Sequence, residues 1–425
     1  MTSLTAIGLI VGVIWLASCI GLFERKLIMP LLVGGLLRVG LALSGWHFFP
    51  LPYSRSDAVW FERGAWRMAE EGWPAVFEGL NPVSGFSYTA PFAAIYAFVG
   101  REPHALLAYN GFLSVLTIAL VFRIGLSLGG PRVATVSAWA MALFPAAILM
   151  SAVVLREAAV SFGVALGLFG LLESERRKSL WFLLVGVAGL GWASLHHGGI
   201  LLSAVVTLGA FTVAGLRSGI DGARVRPATA FASLGALVIL LGTAFALAPG
   251  QFRLASVGVI NFETIESEVL SDTPRNEVGG SSYYGGTTTE SWGQAVRQIP
   301  GRVTLFMASP LPWTVRSVTQ VAGLVDGMLW VFVLVILVKY RSVIWHDPRA
   351  RILMLFLAIA VTTYALGTTN AGTALRHRTK LAPALIPLAT FAFICGRDWV
   401  RDVRRGKARS ESHVEPTRVA SASPD

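Results

Sequence analysis

The stretch HALLAYNGFLSVLTIALVFRIGLS, residues 104–127, decides the fold class. Its 24 residues include a single Arg, Arg123, and no Asp, Glu or Lys. Wound as a helix, it can lie in hydrocarbon with every backbone polar group satisfied internally. Runs of the same kind recur at 4–22, 27–48, 132–150, 157–172, 180–195, 198–216, 228–248, 319–339, 350–367 and 379–396, eleven in all. A shorter run at 88–100 cannot cross a bilayer and suits a re-entrant or interfacial helix. The sequence therefore predicts an all-α, polytopic integral membrane protein. It has about eleven transmembrane helices, with the re-entrant or interfacial helix in the first outer loop.

Composition points the same way. Of 425 residues, 54% are hydrophobic and 14% charged, and the mean hydropathy is +0.64. Soluble domains carry about 25% charged residues, so a disordered chain, a coiled coil and an ordinary soluble enzyme are excluded. The net charge of +11 would suit nucleic acid, but the cations sit in short clusters between apolar runs. That is the positive-inside pattern of a membrane protein, and no nucleic-acid partner is expected. Cys19 and Cys395 both lie in apolar runs, which gives neither a disulfide framework nor a cysteine metal site. Leu16-Ala17-Ser18-Cys19 looks like a lipoprotein cleavage box. However, Arg25 and Lys26 follow the run instead of preceding it, so 4–22 reads as a retained span.

Placing Glu24-Arg25-Lys26 inside puts most Lys and Arg inside, including the tail after Gly396. Segments 49–103 and 249–318 then lie outside. Four units follow: a multi-span module at 1–248, an outer loop at 249–318, C-terminal spans at 319–396, and a basic cytoplasmic tail at 397–425. The Gly, Ser and Thr at 279–289 suit a mobile loop, and the polar tail suits disorder.

Polar residues at the outer membrane edge mark candidate sites. Asp57 follows Tyr53-Ser54-Arg55-Ser56 and heads a segment, 57–70, whose Trp60, Phe61 and Trp66 suit an interfacial helix. Asp57 reads either as the helix cap or as a catalytic carboxylate. Arg156 and Glu157 read as a pair that ends one span and starts the next, or as site residues. His196 and His197 sit in a tight outer turn. Arg376, Arg378 and Lys380 place three cations within five residues on the outer side, against the positive-inside bias. Such a cluster suits an anion, phosphate above all, or lipid headgroups. Arg38 reads as the only plain charge at mid-span.

In order, Ser56-Asp57-Ala58, Ser87-Tyr88-Thr89-Ala90-Pro91, Leu155-Arg156-Glu157 and the segment 375–383 resemble the GT-C class of glycosyltransferases. The nearest branch is the bacterial one similar to protein O-mannosyltransferases and aminoarabinose transferases. The resemblance covers roughly 27–396. It implies a multi-pass enzyme of the bacterial inner membrane. Such an enzyme moves a hexose or pentose from a polyprenyl-phosphate carrier to a glycan, lipid or protein acceptor on the outer face. It implies Asp57 as the general base, Glu157 as the second acid, and Arg376 and Arg378 as phosphate ligands. Arg55, Arg156, His196, His197 and Lys380 complete the expected substrate-binding group. Many relatives have two adjacent acids in the first loop, where Ser56 stands here. No metal ligands are assigned and no cofactor is required, though a divalent metal is left open.

Phosphate leaves without a proton once its charge is neutralised, so one carboxylate suffices, acting on the acceptor hydroxyl. Two rivals stand beside this reading. One is a polysaccharide polymerase or ligase of the cell envelope. The other is a transporter or lipid flippase, which would want broken helices or a repeat at mid-membrane. Asp57, Glu157 and Arg376 sharing one outer site would favour the transferase.

Overall fold

A computed structural model describes residues 2–55, 57–80, 87–220, 292–316, 318–368 and 370–412. The span at 228–248, the Gly-Ser-Thr stretch at 279–289, Ser56 and the tail beyond 412 lie outside the described residues. Every predicted apolar run that falls on described residues is helical, with 132–150 broken once at Phe144, because a chain in lipid can satisfy its own N–H and C=O groups only that way.

The first half comprises α1 (Thr2–Gly21), α2 (Ile28–His47), α3 (Asp57–Glu70), α4 (Trp73–Gly79), α5 (Thr89–Val99), α6 (Pro103–Leu143), α7 (Pro145–Ser151), α8 (Glu157–Arg177), α9 (Leu180–His196) and α10 (Gly199–Ile220). The second half comprises α11 (Trp292–Ala308), α12 (Val318–Lys339), α13 (Arg341–His346), α14 (Pro348–Gly367) and α15 (Ala371–Ser412). Among the described residues, six helical stretches are long and apolar enough to cross a membrane. They are Arg25–His47, Pro103–Leu143, Glu157–Arg177, Gln320–Lys339, Pro348–Gly367 and Ala371–Asp398. The protein is thus an α-helical membrane protein. The short run at 88–100 forms α5, an 11-residue helix packed against α3.

Helix α6 is two limbs. Gly129 leaves the helical region and Gly130 adopts φ 77°, where a side chain is strained. Pro131, lacking an N–H, starts the second limb. That limb ends at Leu143, and its last carbonyls are taken by Arg38. The Arg38 guanidinium donates to Ala142 O at 2.9 Å and Met141 O at 3.2 Å, and to Ser114 Oγ at 2.6 Å. A cation in the middle of a candidate span is thus held by the negative end of a helix. Arg38 is not the only charge buried inside a candidate span: Asp326, in Gln320–Lys339, is 1% exposed. That corrects the sequence reading.

Helices α8 and α15 form the centre, packed on each other and on α6. Helices α8 and α9 approach until their backbones touch. A Cβ at Gly170 would lie 2.3 Å from Gly186 N, and one at Gly189 would lie 2.4 Å from Gly167 N. Small residues one turn apart permit this contact, and in lipid such packing drives helix association. The contact fixes the start of α8, with Glu157, beside the end of α9, with His196.

Candidate functional site

Helix α3 lies along α5 through Phe61 on Tyr88 and Trp66 on Tyr96, ring pairs at 5.0 and 6.0 Å. A polar clamp closes its outer side. Arg101 donates from Nε and Nη2 to the two oxygens of Glu62, both at 3.0 Å, and Tyr96 Oη adds a third bond at 3.0 Å. Burial would push the Glu62 carboxyl up, but these hydrogen bonds outweigh it and hold the group below the ordinary glutamate range. The clamp sets the axis of α3, and so the position of Asp57 at its start.

Residues 152–155 run between α7 and α8 without helical bonds of their own. Asn110 Nδ2 donates to Val153 O at 2.8 Å and to Leu155 O at 3.0 Å. Tyr88 Oη donates to Leu155 O as well. These buried side chains satisfy carbonyls that would otherwise be orphaned. They hold the Arg156-Glu157 turn rigidly.

The cluster closes when α15 is added. Arg376 Nε donates to Glu157 Oε1 at 2.8 Å, while Arg376 Nη1 donates to Asp57 Oδ2 at 2.6 Å. One guanidinium therefore bridges the start of α3 and the start of α8. Lys380, one turn on, places Nζ 3.6 Å from Glu157 Oε1 and 5.7 Å from the Tyr364 ring. Glu157 is fully buried, and its Oε2 has no hydrogen-bond partner among the described residues. Arg156 packs on Phe61, its guanidinium 5.9 Å from the ring, and reaches His196 O at 3.5 Å.

The histidines divide. His197 Nδ1 meets Tyr364 Oη at 3.2 Å, and its ring stands 5.0 Å from that of His377. His377 stacks on Tyr364 at 4.4 Å and meets Thr368 Oγ1 at 2.9 Å. His196 instead is buried between Trp192 and Tyr88, at 4.4 and 5.7 Å, so it serves packing.

Two expectations change. Arg378 does not join the cluster. It is fully buried, its Nε 2.7 Å from Asp326 Oδ2 and its Nη1 donating to Phe306 O and Met307 O at 2.9 and 2.8 Å. On a helix, residues two apart point about 200° apart and residues four apart about 40°. Arg376 and Lys380 therefore share a face that Arg378 cannot. Arg55 is exposed, and among the described residues it forms no ion pair. Of the two acids on Arg376, Asp57 is the exposed one, its side chain 56% exposed, and Glu157 is the deep one.

Sequence reasoning also passed over Tyr53, Tyr364, His377 and Asp326. Tyr53 sits before Asp57 at φ 67°, and burial pushes its phenol up to about 12, which leaves it a hydrogen-bond donor near Arg376. Asp326 was legible, because an acid inside an apolar run needs a buried partner.

Among the described residues no three His, Cys, Asp or Glu side chains converge as metal ligands. With Arg376 standing between the two acids, the arrangement does not fit a divalent cation. Two cavities of about 330 and 300 Å³ lie elsewhere. The first sits under Ala58, Val59 and Glu62, and the second beside Arg38, between α1, α2 and α6. Compared with known proteins, the chain matches no family model and no curated protein.

Proposed function

We propose that the chain is an inverting glycosyltransferase of the bacterial inner membrane, with about eleven crossings. It moves a sugar from a polyprenyl-phosphate carrier to an acceptor on the outer face. The observation that carries this reading is the single bridge Asp57–Arg376–Glu157, at 2.6 and 2.8 Å, which joins three remote segments at the predicted outer edge. Around Glu157 stand Arg376, Lys380 and Arg156, three cations that suit a phosphate.

In this reading the acceptor oxygen attacks C1 of the sugar and its proton passes to Asp57. The bond from C1 to the phosphate oxygen breaks, and its electron pair stays on the phosphate. Arg376 and Lys380 meet the growing negative charge, so no acid is needed for the leaving group. Inversion follows from the single displacement. Glu157 holds the two cations in place and takes no proton. His197 and His377 line the side of the cluster beside Tyr364.

Mass spectrometry of cell-envelope glycans and lipid-linked sugars, with and without the protein, tests the proposal. Loss of one glycan with accumulation of its lipid-linked sugar is expected. Unchanged glycans, with lipid-linked sugars displaced between leaflets, would replace the transferase by a flippase. A change in chain length alone would replace it by a polymerase.

A further inference from the structure

We propose that Asp57 and the donor phosphate compete for Arg376, so that donor binding frees the base and the acceptor must follow. The inference rests on the transferase reading and adds an order of binding to it. Of the two carboxylates on Arg376, only Asp57 can leave. Glu157 is fully buried, rooted in the α8–α9 contact and in a turn held by Asn110 and Tyr88. Asp57 stands at the first residue of a surface helix with its side chain 56% exposed.

The two contacts use different nitrogens. Arg376 Nε is directed inward to Glu157 and Nη1 outward to Asp57, while the Arg376 side chain is itself 15% exposed. An anion arriving from the side of Asp57 meets a nitrogen that Asp57 already holds. A phosphate oxygen accepts from a guanidinium in the same geometry as a carboxylate oxygen does. When it takes Nη1, Asp57 is released with its oxygen available to an acceptor hydroxyl. While Asp57 holds Nη1, that oxygen is engaged and that donor is taken. Departure of Asp57 also leaves Arg376 and Lys380 facing Glu157 alone, a local positive excess that matches an anionic donor. The contact thus guards against acceptor activation before a donor is present.

The test is calorimetric binding of farnesyl phosphate to the full-length protein in nanodiscs. Asp57→Asn removes the competing charge and keeps the helix start, since Asn begins a helix about as well as Asp. It is expected to bind about fivefold more tightly than wild type, the factor for releasing one exposed ion pair. Adding Arg376→Gln should weaken binding and erase the difference. Equal binding by wild type and Asp57→Asn would overturn the competition and leave the phosphate site standing. Weaker binding by Asp57→Asn would overturn it too, and would make Asp57 a ligand of the donor. Absence of binding by both would overturn the transferase reading along with the competition.

Discussion

Replacing Glu157 by Gln tests the electrostatic design of the cluster. Glu157 is the inner counter-ion of Arg376, at 2.8 Å, and the only acid beside Lys380 among the described residues, at 3.6 Å. Lys380 is 1% exposed, so water cannot replace the lost partner. At about 4 Å between charge centres, an effective dielectric of 20 gives roughly 4 kcal/mol for one such pair. Arg376 keeps Asp57 as a second partner, so the larger loss falls on Lys380. Breaking a buried pair from one side typically costs about 3–5 kcal/mol, and Glu157→Gln is expected in that range. Replacing both members is different: a well-packed neutral pair is often close to neutral in stability. The double variant Glu157→Gln, Lys380→Met should therefore recover most of the loss. Thermal unfolding of detergent-purified single and double variants reads the coupling directly. If Glu157→Gln melted with wild type, or the double variant were no better than the singles, the counter-ion argument would be wrong.

Four further outcomes follow from the same geometry. Asp57→Asn should keep its melting temperature, because the side chain is half exposed, while sugar transfer by the purified protein falls at least about a hundredfold; transfer near the wild-type rate would move the base elsewhere. Arg378→Gln should destabilise the fold by about 3 kcal/mol or more, since it strands the buried Asp326, yet farnesyl phosphate affinity in the folded fraction should stay within about twofold. Gly170→Leu should prevent the α8–α9 contact and leave little folded protein on gel filtration, because its Cβ alone would sit 2.3 Å from Gly186 N. Glu62 titrates below the ordinary glutamate range when folded, so its clamp contributes stability above about pH 4.3 and loses it as pH falls through the folded value. Glu62→Gln should flatten the acid decline of the melting temperature, and an unchanged decline would remove the clamp from the account.

The helices are legible in the amino-acid sequence. Apolar length is a local property, and in hydrocarbon each segment must satisfy its backbone within itself, so the runs at 104–127, 157–172 and 350–367 announce their own structure. The sequence also marked Asp57, Glu157, Arg376 and Lys380, because charges at a membrane edge stand out against an apolar background. Which of them meet depends on contacts between helices far apart in the chain. Asp57 and Arg376 are 319 residues apart, and their contact depends on the α3 clamp, the Gly-lined α8–α9 approach and the rotation of α15. That rotation sends Arg376 and Lys380 to Glu157 and turns Arg378 onto Asp326. A helix sorts neighbouring side chains by about 100° per residue, but which partner stands at each angle is set by helices distant in the chain. No local pattern at 376–380 could reveal that a carboxylate, Asp57, already rests on the nitrogen that faces outward.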